Sequence, residues 1–422
     1  MDQMKIRTIR EEEFPAVVAV NCLAFGEAAG EDDANAWRLA FPFERSLGLF
    51  EGGKMVATSA VFSFELTVPG GVAIPMGGLT WIATLPTHRR VGLLRRLMIA
   101  QFKDMAARSE MVSGLAASEG NIYGRFGYGP ATSVMSFGVE RTGAAFAAPI
   151  DKTAAGRVIL LDAEEAASRL PALYESFRLR QPGALSRTPG MWKAHLADPP
   201  HAWWGATRMF HVIHETSPGA PDGYVSYRVK EEWDGATAAN IVKVIELLAA
   251  DPGAYKALWD YMLRTDLSRT VSYGWGHVDE PLRWLLADPR RFKVVDLHDF
   301  LWLRLLDVAR ALAARAYAAA GRLVLEVTDT FPTPSVKRFL LSTERAASGS
   351  DPTFPALAEC AATSSAPDLA LPIDALGAVY LGGVTFATLA AAGRVRELTP
   401  GAVARADAMF ASASAPYCAT EF

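Results

Sequence analysis

Arg89, Arg90 and Gly92 stand in the run Arg89-Arg90-Val91-Gly92-Leu93-Leu94, two guanidinium groups beside a residue without a side chain. If the run opens a helix, the first turn offers unpaired backbone N–H groups and the positive end of the helix dipole, an anion site. The arginines add charge, and Gly92 lets a phosphate approach the backbone. Downstream, Ser118-Glu119-Gly120-Asn121-Ile122-Tyr123-Gly124-Arg125-Phe126-Gly127-Tyr128-Gly129-Pro130 sets two tyrosines in a glycine-rich turn. A phenol of pKa about 10 can give a proton to a departing thiolate, whose conjugate thiol lies near about 8.5. Residue types alone do not separate Tyr123 from Tyr128 in that role, and either also suits the packing of a glycine corner. A solvated basic helix start accounts equally for the four residues of the arginine run taken alone. A pyrophosphate held at a helix start with a proton donor nearby is what acyl transfer from coenzyme A requires.

The elements around these residues suit that use. Ile6 and Ile9 sit in a short opening strand, and Phe14 to Leu23 reads as a helix. Ser46 to Phe50 and Lys54 to Val68 read as a hairpin across Gly52-Gly53. Val72 to Leu85 is a long apolar strand leading into the arginine run. Leu94, Leu97, Met98, Phe102 and Met105 then form a helical stripe, and Val112 to Ala117 returns to strand. This is an α/β arrangement with mixed sheets. Small residues and Pro149 between Gly143 and Thr153 place a first boundary, giving segments 1–147, 148–297 and 298–422. The second segment repeats the strand–turn–helix step at Val242–Ala249 and Tyr255–Leu263. Its turn carries Asp251 where the first carries arginines, so it predicts a cousin that repels phosphate. In the third, Leu301–Leu306 reads as a strand, Val308–Ala320 as a helix capped by Gly321, Leu323–Val327 as a strand, residues 343–366 as loops and Phe386–Ala392 as a helix.

Composition narrows the classes. The chain has 422 residues, half of them hydrophobic and 21% charged, which supplies ample core. A net charge of −4 with scattered basic residues gives no reason to expect nucleic-acid binding. Cys22, Cys360 and Cys418 are few and far apart, pointing to a reducing compartment. Neither a signal peptide nor an apolar run of membrane-spanning length is evident, so a soluble cytoplasmic protein is expected. His211 and His214 lie on opposite faces of a strand, and no metal site is expected. Trp203, Trp204 and Trp275 read as core or interface. No Rossmann, P-loop or serine-hydrolase signature occurs.

The residues resemble the Eis (enhanced intracellular survival) N-acetyltransferases of the GNAT superfamily. The resemblance rests on Pro86-Thr87-His88-Arg89-Arg90-x-Gly92-Leu93-Leu94, on the segment Ser118 to Thr132, and on the terminal Glu421-Phe422. Ala36-Trp37-Arg38, Leu301-Trp302-Leu303-Arg304 and Tyr380-Leu381-Gly382 extend it over essentially the whole chain. It implies two tandem GNAT-like domains, the second without cofactor, a sterol-carrier-protein-like α/β domain, and a homohexamer. It implies acetyl-CoA as cosubstrate and a small-molecule amine as acceptor. Tyr123 matches the family's general acid, and the terminal carboxylate of Phe422 its general base. Arg89, Arg90, Gly92 and Leu93 match the pyrophosphate loop, and Ile82, Ala83 and Thr84 the strand along the pantetheine. Ser118 matches a further position beside the cofactor. Phe14, Phe25, Glu27, Arg38, Trp81 and Glu421 match the amine pocket. Leu94 departs from the small residue of the general GNAT pattern, Phe14 from a tryptophan and Glu27 from an aspartate. The expected activity is acetylation of polycationic amines such as aminoglycosides. Protein-lysine acetylation, or a non-enzymatic carrier of lipids using the third domain, are the alternatives.

Overall fold

The computed structural model describes residues 4–149, 156–344 and 357–422. The chain begins with β1 (Lys5–Thr8), α1 (Phe14–Phe25), α2 (Glu31–Ala40), β2 (Ser46–Glu51), β3 (Lys54–Val68), β4 (Val72–Thr84), α3 (Leu93–Ala107), β5 (Val112–Ala116), β6 (Gly129–Pro130) and β7 (Ser133–Glu140). The β2–β3 hairpin turns at Gly52 and Gly53, both at positive φ (54° and 82°). That backbone matches the strand twist and is open to glycine at no steric cost. Of the expected stripe on α3, Leu97, Met98, Phe102 and Met105 are buried and Leu94 is half-buried, with Leu93 buried beside them.

The middle of the chain supplies β8 (Arg157–Leu161), α4 (Ala163–Arg178), α5 (Pro189–Ala197), β9 (Phe210–Ser217), β10 (Ala220–Lys230), β11 (Trp233–Asp234), β12 (Thr237–Ala238), β13 (Asn240–Ala249), α6 (Pro252–Leu263), β14 (Ser268–Gly276), α7 (Leu282–Leu285) and β15 (Phe292–Asp299). The last part adds β16 (Leu301–Leu305), α8 (Val308–Ala314), β17 (Gly321–Asp329), β18 (Ser335–Glu344), β19 (Leu357–Ala362), β20 (Leu369–Pro372), α9 (Ile373–Val379), α10 (Phe386–Ala391), β21 (Arg396–Glu397) and α11 (Ala402–Phe410).

Three main sheets result, ordered β1-β2-β3-β4-β5-β16-β6, β15-β7-β14-β13-β10-β9-β8 and β19-β18-β17-β20-β21. Contacts divide the chain into two compact units. One comprises Met1–Thr132, Leu179–Ser186 and Asp299–Phe422, the other Ser133–Arg178 and Arg187–His298. Strand exchange explains the division: β7 joins the second sheet, and β16 enters the first between β5 and β6. In the first unit, one apolar cluster gathers Phe14, Val17 and Val20 of α1 with Leu49, Val56 and Ala83. Another gathers Met98 and Phe102 of α3 with Leu79, Leu115, Tyr123 and Trp302.

Two local expectations are corrected. The helix expected over Val308–Ala320 stops at Ala314, and Gly321 opens β17 instead of capping a helix. Arg315 turns inward, buried, and donates to the carbonyls of Tyr380 and Phe410, which fixes it in an extended conformation. Within the expected loop 343–366, Leu357–Ala362 is a strand paired with β18, while 345–356 lie outside the described residues. The last residues of the expected boundary 143–153, from 150 onward, also lie outside them. Trp204 is 82% exposed, which takes it out of the core but not out of an interface.

Candidate active site

Strand β4 is the element on which the site is built. Its parallel ladder with β5 ends at Gly78↔Gly114, yet β4 runs on to Thr84. Beyond Gly78 the backbone edge that faces away from β3 has no strand partner among the described residues. In the same stretch the pairing with β3 slips: Thr58 opposes Ala83 and Ala60 opposes Thr80, so Trp81 and Ile82 bulge against Ser59. Trp81 sits at φ 51°, rare for a bulky residue, and the buried Thr58 hydroxyl donates to its carbonyl at 2.8 Å. A splayed, bulged strand presents backbone polar groups to whatever lies beside it. Ile82 and Thr84 are half-buried there, and Ala83 is buried.

The arginine run follows as a curled loop. Arg90 (φ 65°) and Gly92 (φ 86°) are both left-handed, and α3 starts at Leu93 with no side chain capping its first turn. Nothing stands within 4 Å of the position a Gly92 Cβ would take, so the space over the helix start is open. Arg89 donates to the Ala24 carbonyl at 2.5 Å, which places its guanidinium against the end of α1. Arg90 is exposed. Both ring nitrogens of His88 are engaged, by Thr87 at 2.8 Å and Glu51 at 3.1 Å, so His88 braces the loop.

The structure separates the two tyrosines. Tyr128 is fully buried and its hydroxyl lies 2.7 Å from Ser113 Oγ. Ser113 donates its own proton to the Gly77 carbonyl at 3.1 Å, so the Tyr128 proton is committed to Ser113. Tyr123 is 6% exposed, and its hydroxyl makes no hydrogen bond with the described residues. Burial pushes its phenol up to about 12, with a small opposing effect from Arg125. Tyr123 shares its apolar cluster with Leu79, and with Ile82 and Leu94 at the cluster's edge. Ser118 lies exposed just past β5.

The chain end is tied down. Tyr417, Cys418 and Thr420 are buried, and the Tyr417 N–H donates to the Pro182 carbonyl at 2.8 Å. The Phe422 ring lies edge-on to Phe64, centroids 4.9 Å apart, and 6.5 Å from Phe62. A Cβ on Gly78 would fall 2.3 Å from the Phe64 ring and 3.1 Å from that of Phe422. Both rings therefore occupy space that only glycine leaves. Glu421 is solvent-exposed, yet the surrounding protein desolvates its carboxyl and raises its pKa.

Of the expected pocket residues, Phe14, Arg38 and Trp81 come together. Buried Phe14 meets Trp81 edge-on at 6.1 Å, and the Arg38 guanidinium lies 5.7 Å over its ring while bonding Glu11. Phe25, the last residue of α1, and Glu27, two residues further on, are both exposed. Sequence reasoning missed three members: Trp37 and Phe41 at 5.8 and 5.3 Å from Trp81, and Phe43 at 5.7 Å from Phe14. The i, i+4 spacing of Trp37 and Phe41 was the available signal.

The second unit repeats the scaffold with its openings filled. Strand β13 also bulges and parts from β14 beyond Val244↔Tyr273, but the Tyr273 hydroxyl accepts the Leu247 N–H at 3.3 Å. Asp251 caps α6, accepting from the N–H groups of Gly253 and Ala254 at 2.7 and 3.1 Å. A carboxylate of the chain itself occupies the anion position. His211 and His214 bond Ser226 and Asp222, and no group of three or more metal-ligating side chains occurs among the described residues. Among those residues, no helix is long and apolar enough to cross a membrane.

Comparison with known proteins agrees with this geometry. Residues 5–131 and 183–305 each match the acetyltransferase (GNAT) domain family, and 308–419 match the sterol carrier protein domain family. The N-acetyltransferase Eis of Mycobacterium tuberculosis is 35% identical over 421 residues, 98% of each chain. This chain belongs to the Eis family. It is a GNAT N-acetyltransferase with two GNAT domains followed by a sterol-carrier-like domain, and the family uses acetyl-CoA. An uncharacterized N-acetyltransferase of Streptomyces griseus is 34% identical over 428 residues, covering 99% of this chain and all of the relative. The crystal structure of Eis1 from Mycobacterium abscessus superimposes with a TM-score of 0.85 at 35% identity, over 99% of this chain and 100% of that one. Within this Eis-family chain, β4 and α3 of the first GNAT match carry the open positions.

Proposed function

We propose that this Eis-family enzyme transfers acetyl groups to primary amines of polycationic small molecules such as aminoglycosides. The observation that carries the reading is the open edge of β4, set between an uncapped α3 and the unbonded phenol of Tyr123. Arg89, Arg90, Gly92 and the Leu93 backbone would hold the pyrophosphate of acetyl-CoA. Ile82, Ala83 and Thr84 would run along the pantetheine, with Ser118 beside it. When bound, acetyl-CoA supplies an acetyl group already activated as a thioester.

The chain's own groups then manage protons. An ammonium has no lone pair, so the terminal carboxylate of Phe422 takes the proton from the incoming amine, directly or through water. Tyr123, whose phenol stays protonated up to about pH 12, gives its proton to the leaving sulfur. Backbone N–H groups at the β4 bulge steady negative charge on the acetyl oxygen. Phe14, Arg38 and Trp81 shape the amine pocket, with Phe25, Glu27 and Glu421 at its margin. Residues 11–33 carry seven carboxylates and no lysine or arginine, a field that favours a polycation.

The division into 1–147, 148–297 and 298–422, a homohexameric assembly and a cytoplasmic location belong to the same proposal. The test is release of CoA thiol from acetyl-CoA across aminoglycosides, polyamines and lysine peptides, with product masses recorded. Several acetyl groups added to one aminoglycoside is the expected result. Release with peptides alone would replace it by the protein-lysine reading, and release with no amine would overturn it.

A further inference from the structure

The motif Leu301-Trp302-Leu303-Arg304 lies on β16, which the proton-transfer scheme does not use. Arg304 is 4% exposed. Its Nη1 donates to the Phe126 carbonyl at 2.7 Å. Its Nη2 donates to Asp329 Oδ2 at 2.6 Å and to the Phe331 carbonyl at 2.8 Å. The guanidinium also lies 5.0 Å over the Phe102 ring. Both terminal nitrogens of this buried cation are paired, which fixes the head in one place, while Nε finds no partner among the described residues.

What the head grips is the turn that carries Tyr123. The Phe126 N–H donates to the Tyr123 carbonyl at 2.9 Å, and the Tyr128 N–H to the same oxygen at 3.3 Å. Gly127 follows at φ 83°, and a Cβ there would fall 1.9 Å from Arg304 Nη1. On the next residues, a Cβ on Gly129 would fall 1.9 Å from the Asp374 carbonyl of α9. One on Gly377 of α9 would fall 2.2 Å from the Leu303 carbonyl. The turn and β6 are thus enclosed by Arg304 on one side and the α9 backbone on the other. Because the Tyr123 hydroxyl bonds no described residue, its direction depends on its neighbours and on where the turn holds its backbone.

We infer that Arg304, locked by Asp329 and Phe331, is a positioning residue that aims Tyr123, and that the sterol-carrier-like segment serves the reaction as a brace for the proton donor. This rests on the reading of Tyr123 as general acid. A misplacement of about 1 Å can lower a rate about 10²-fold. Lysine at 304 keeps the charge but loses the planar fork that reaches a carboxylate and two carbonyls together.

The test compares full-length wild type, Arg304→Lys, Tyr123→Phe and the double variant, with Asp329→Asn as a milder perturbation should Arg304→Lys not fold. We expect Arg304→Lys to lower kcat about 10²-fold, to leave acetyl-CoA affinity unchanged, and to cause no further loss once Tyr123 is phenylalanine. Amide exchange in 123–130 should quicken, while that of 93–107 stays the same. Unchanged kcat, an equal loss in both backgrounds, or unchanged exchange in the turn would overturn the inference. Wild-type kcat in Tyr123→Phe alone would remove Tyr123 as the acid, and the exchange rates would still decide whether Arg304 holds the turn.

Discussion

The Phe422 ring meets the Phe64 ring edge-on, with centroids 4.9 Å apart and planes at 68°. The contact sits over Gly78, where β4 loses its pairing with β5. The end of the polypeptide is thereby held at the strand that opens the site, one residue from Leu79 of the Tyr123 cluster. Gly78→Ala should force both rings aside. We expect kcat to fall at least tenfold with acetyl-CoA affinity retained, measured by steady-state kinetics and calorimetric titration.

Extending the chain past Phe422 converts the terminal carboxylate into an amide. A lost proton-transfer partner costs roughly 10²–10⁴-fold, and a two-residue extension should show a loss of that order in kcat. An extension with wild-type kcat would remove the carboxylate from the reaction.

Tyr123→Phe should lower kcat by the same order, roughly 10²–10⁴-fold, and leave acetyl-CoA binding intact. Burial raises the phenol to about 12, so the acid form predominates below that pH. Any alkaline limb in kcat at lower pH must therefore come from another group and should persist in Tyr123→Phe. Loss of that limb in the variant would show that the Tyr123 phenol itself titrates below about 12.

Gly92→Val places a β-branched side chain at φ 86°, where none fits easily. The space around it is open, so the penalty is conformational, about 1–3 kcal/mol. Acetyl-CoA affinity should drop about tenfold or more, whereas KM for the amine should hold. Titration of both substrates separates these outcomes.

Glu280, 5% exposed, has its carboxyl raised by burial to about 8, against a partial lowering by the Leu282 N–H. The folded state thus keeps a proton that the unfolded chain releases near pH 4.5. The stability contributed by this group is full below that pH and is lost progressively as pH rises to about 8. Glu280→Gln should flatten the decline, read from urea midpoints between those limits. An identical slope in the variant would show that other groups set it.

Local signals made much of the first sheet legible. Gly52-Gly53 marked the hairpin, and the spacing of Leu97, Met98, Phe102 and Met105 marked α3. What was hidden depended on distant partners. Leu301–Leu306 reads as a strand, but its place between β5 and β6 follows from pairing with residues far upstream. The end of α8 depends on where the Arg315 side chain finds carbonyls. The use of Gly78 is hidden too, although Gly77-Gly78 inside an apolar strand hints at a close approach. In the candidate site, Arg89, Arg90 and Gly92 stood out because their chemistry is local, whereas Tyr123 and Tyr128 look alike until the bond of Tyr128 to Ser113 is known. Trp37, Phe41 and Phe43 did not, since a half-buried aromatic looks like core until its neighbours are known.

The two helix starts that follow a bulged strand differ in self-sufficiency. Asp251 gives α6 its own cap, an interaction generally worth about 0.5–2 kcal/mol. No side chain does this for α3. On the proposed reading the pyrophosphate of acetyl-CoA would supply that missing cap, and mass action would couple the folding of the first domain to ligand concentration. Resistance to unfolding would then report the concentration of acetyl-CoA.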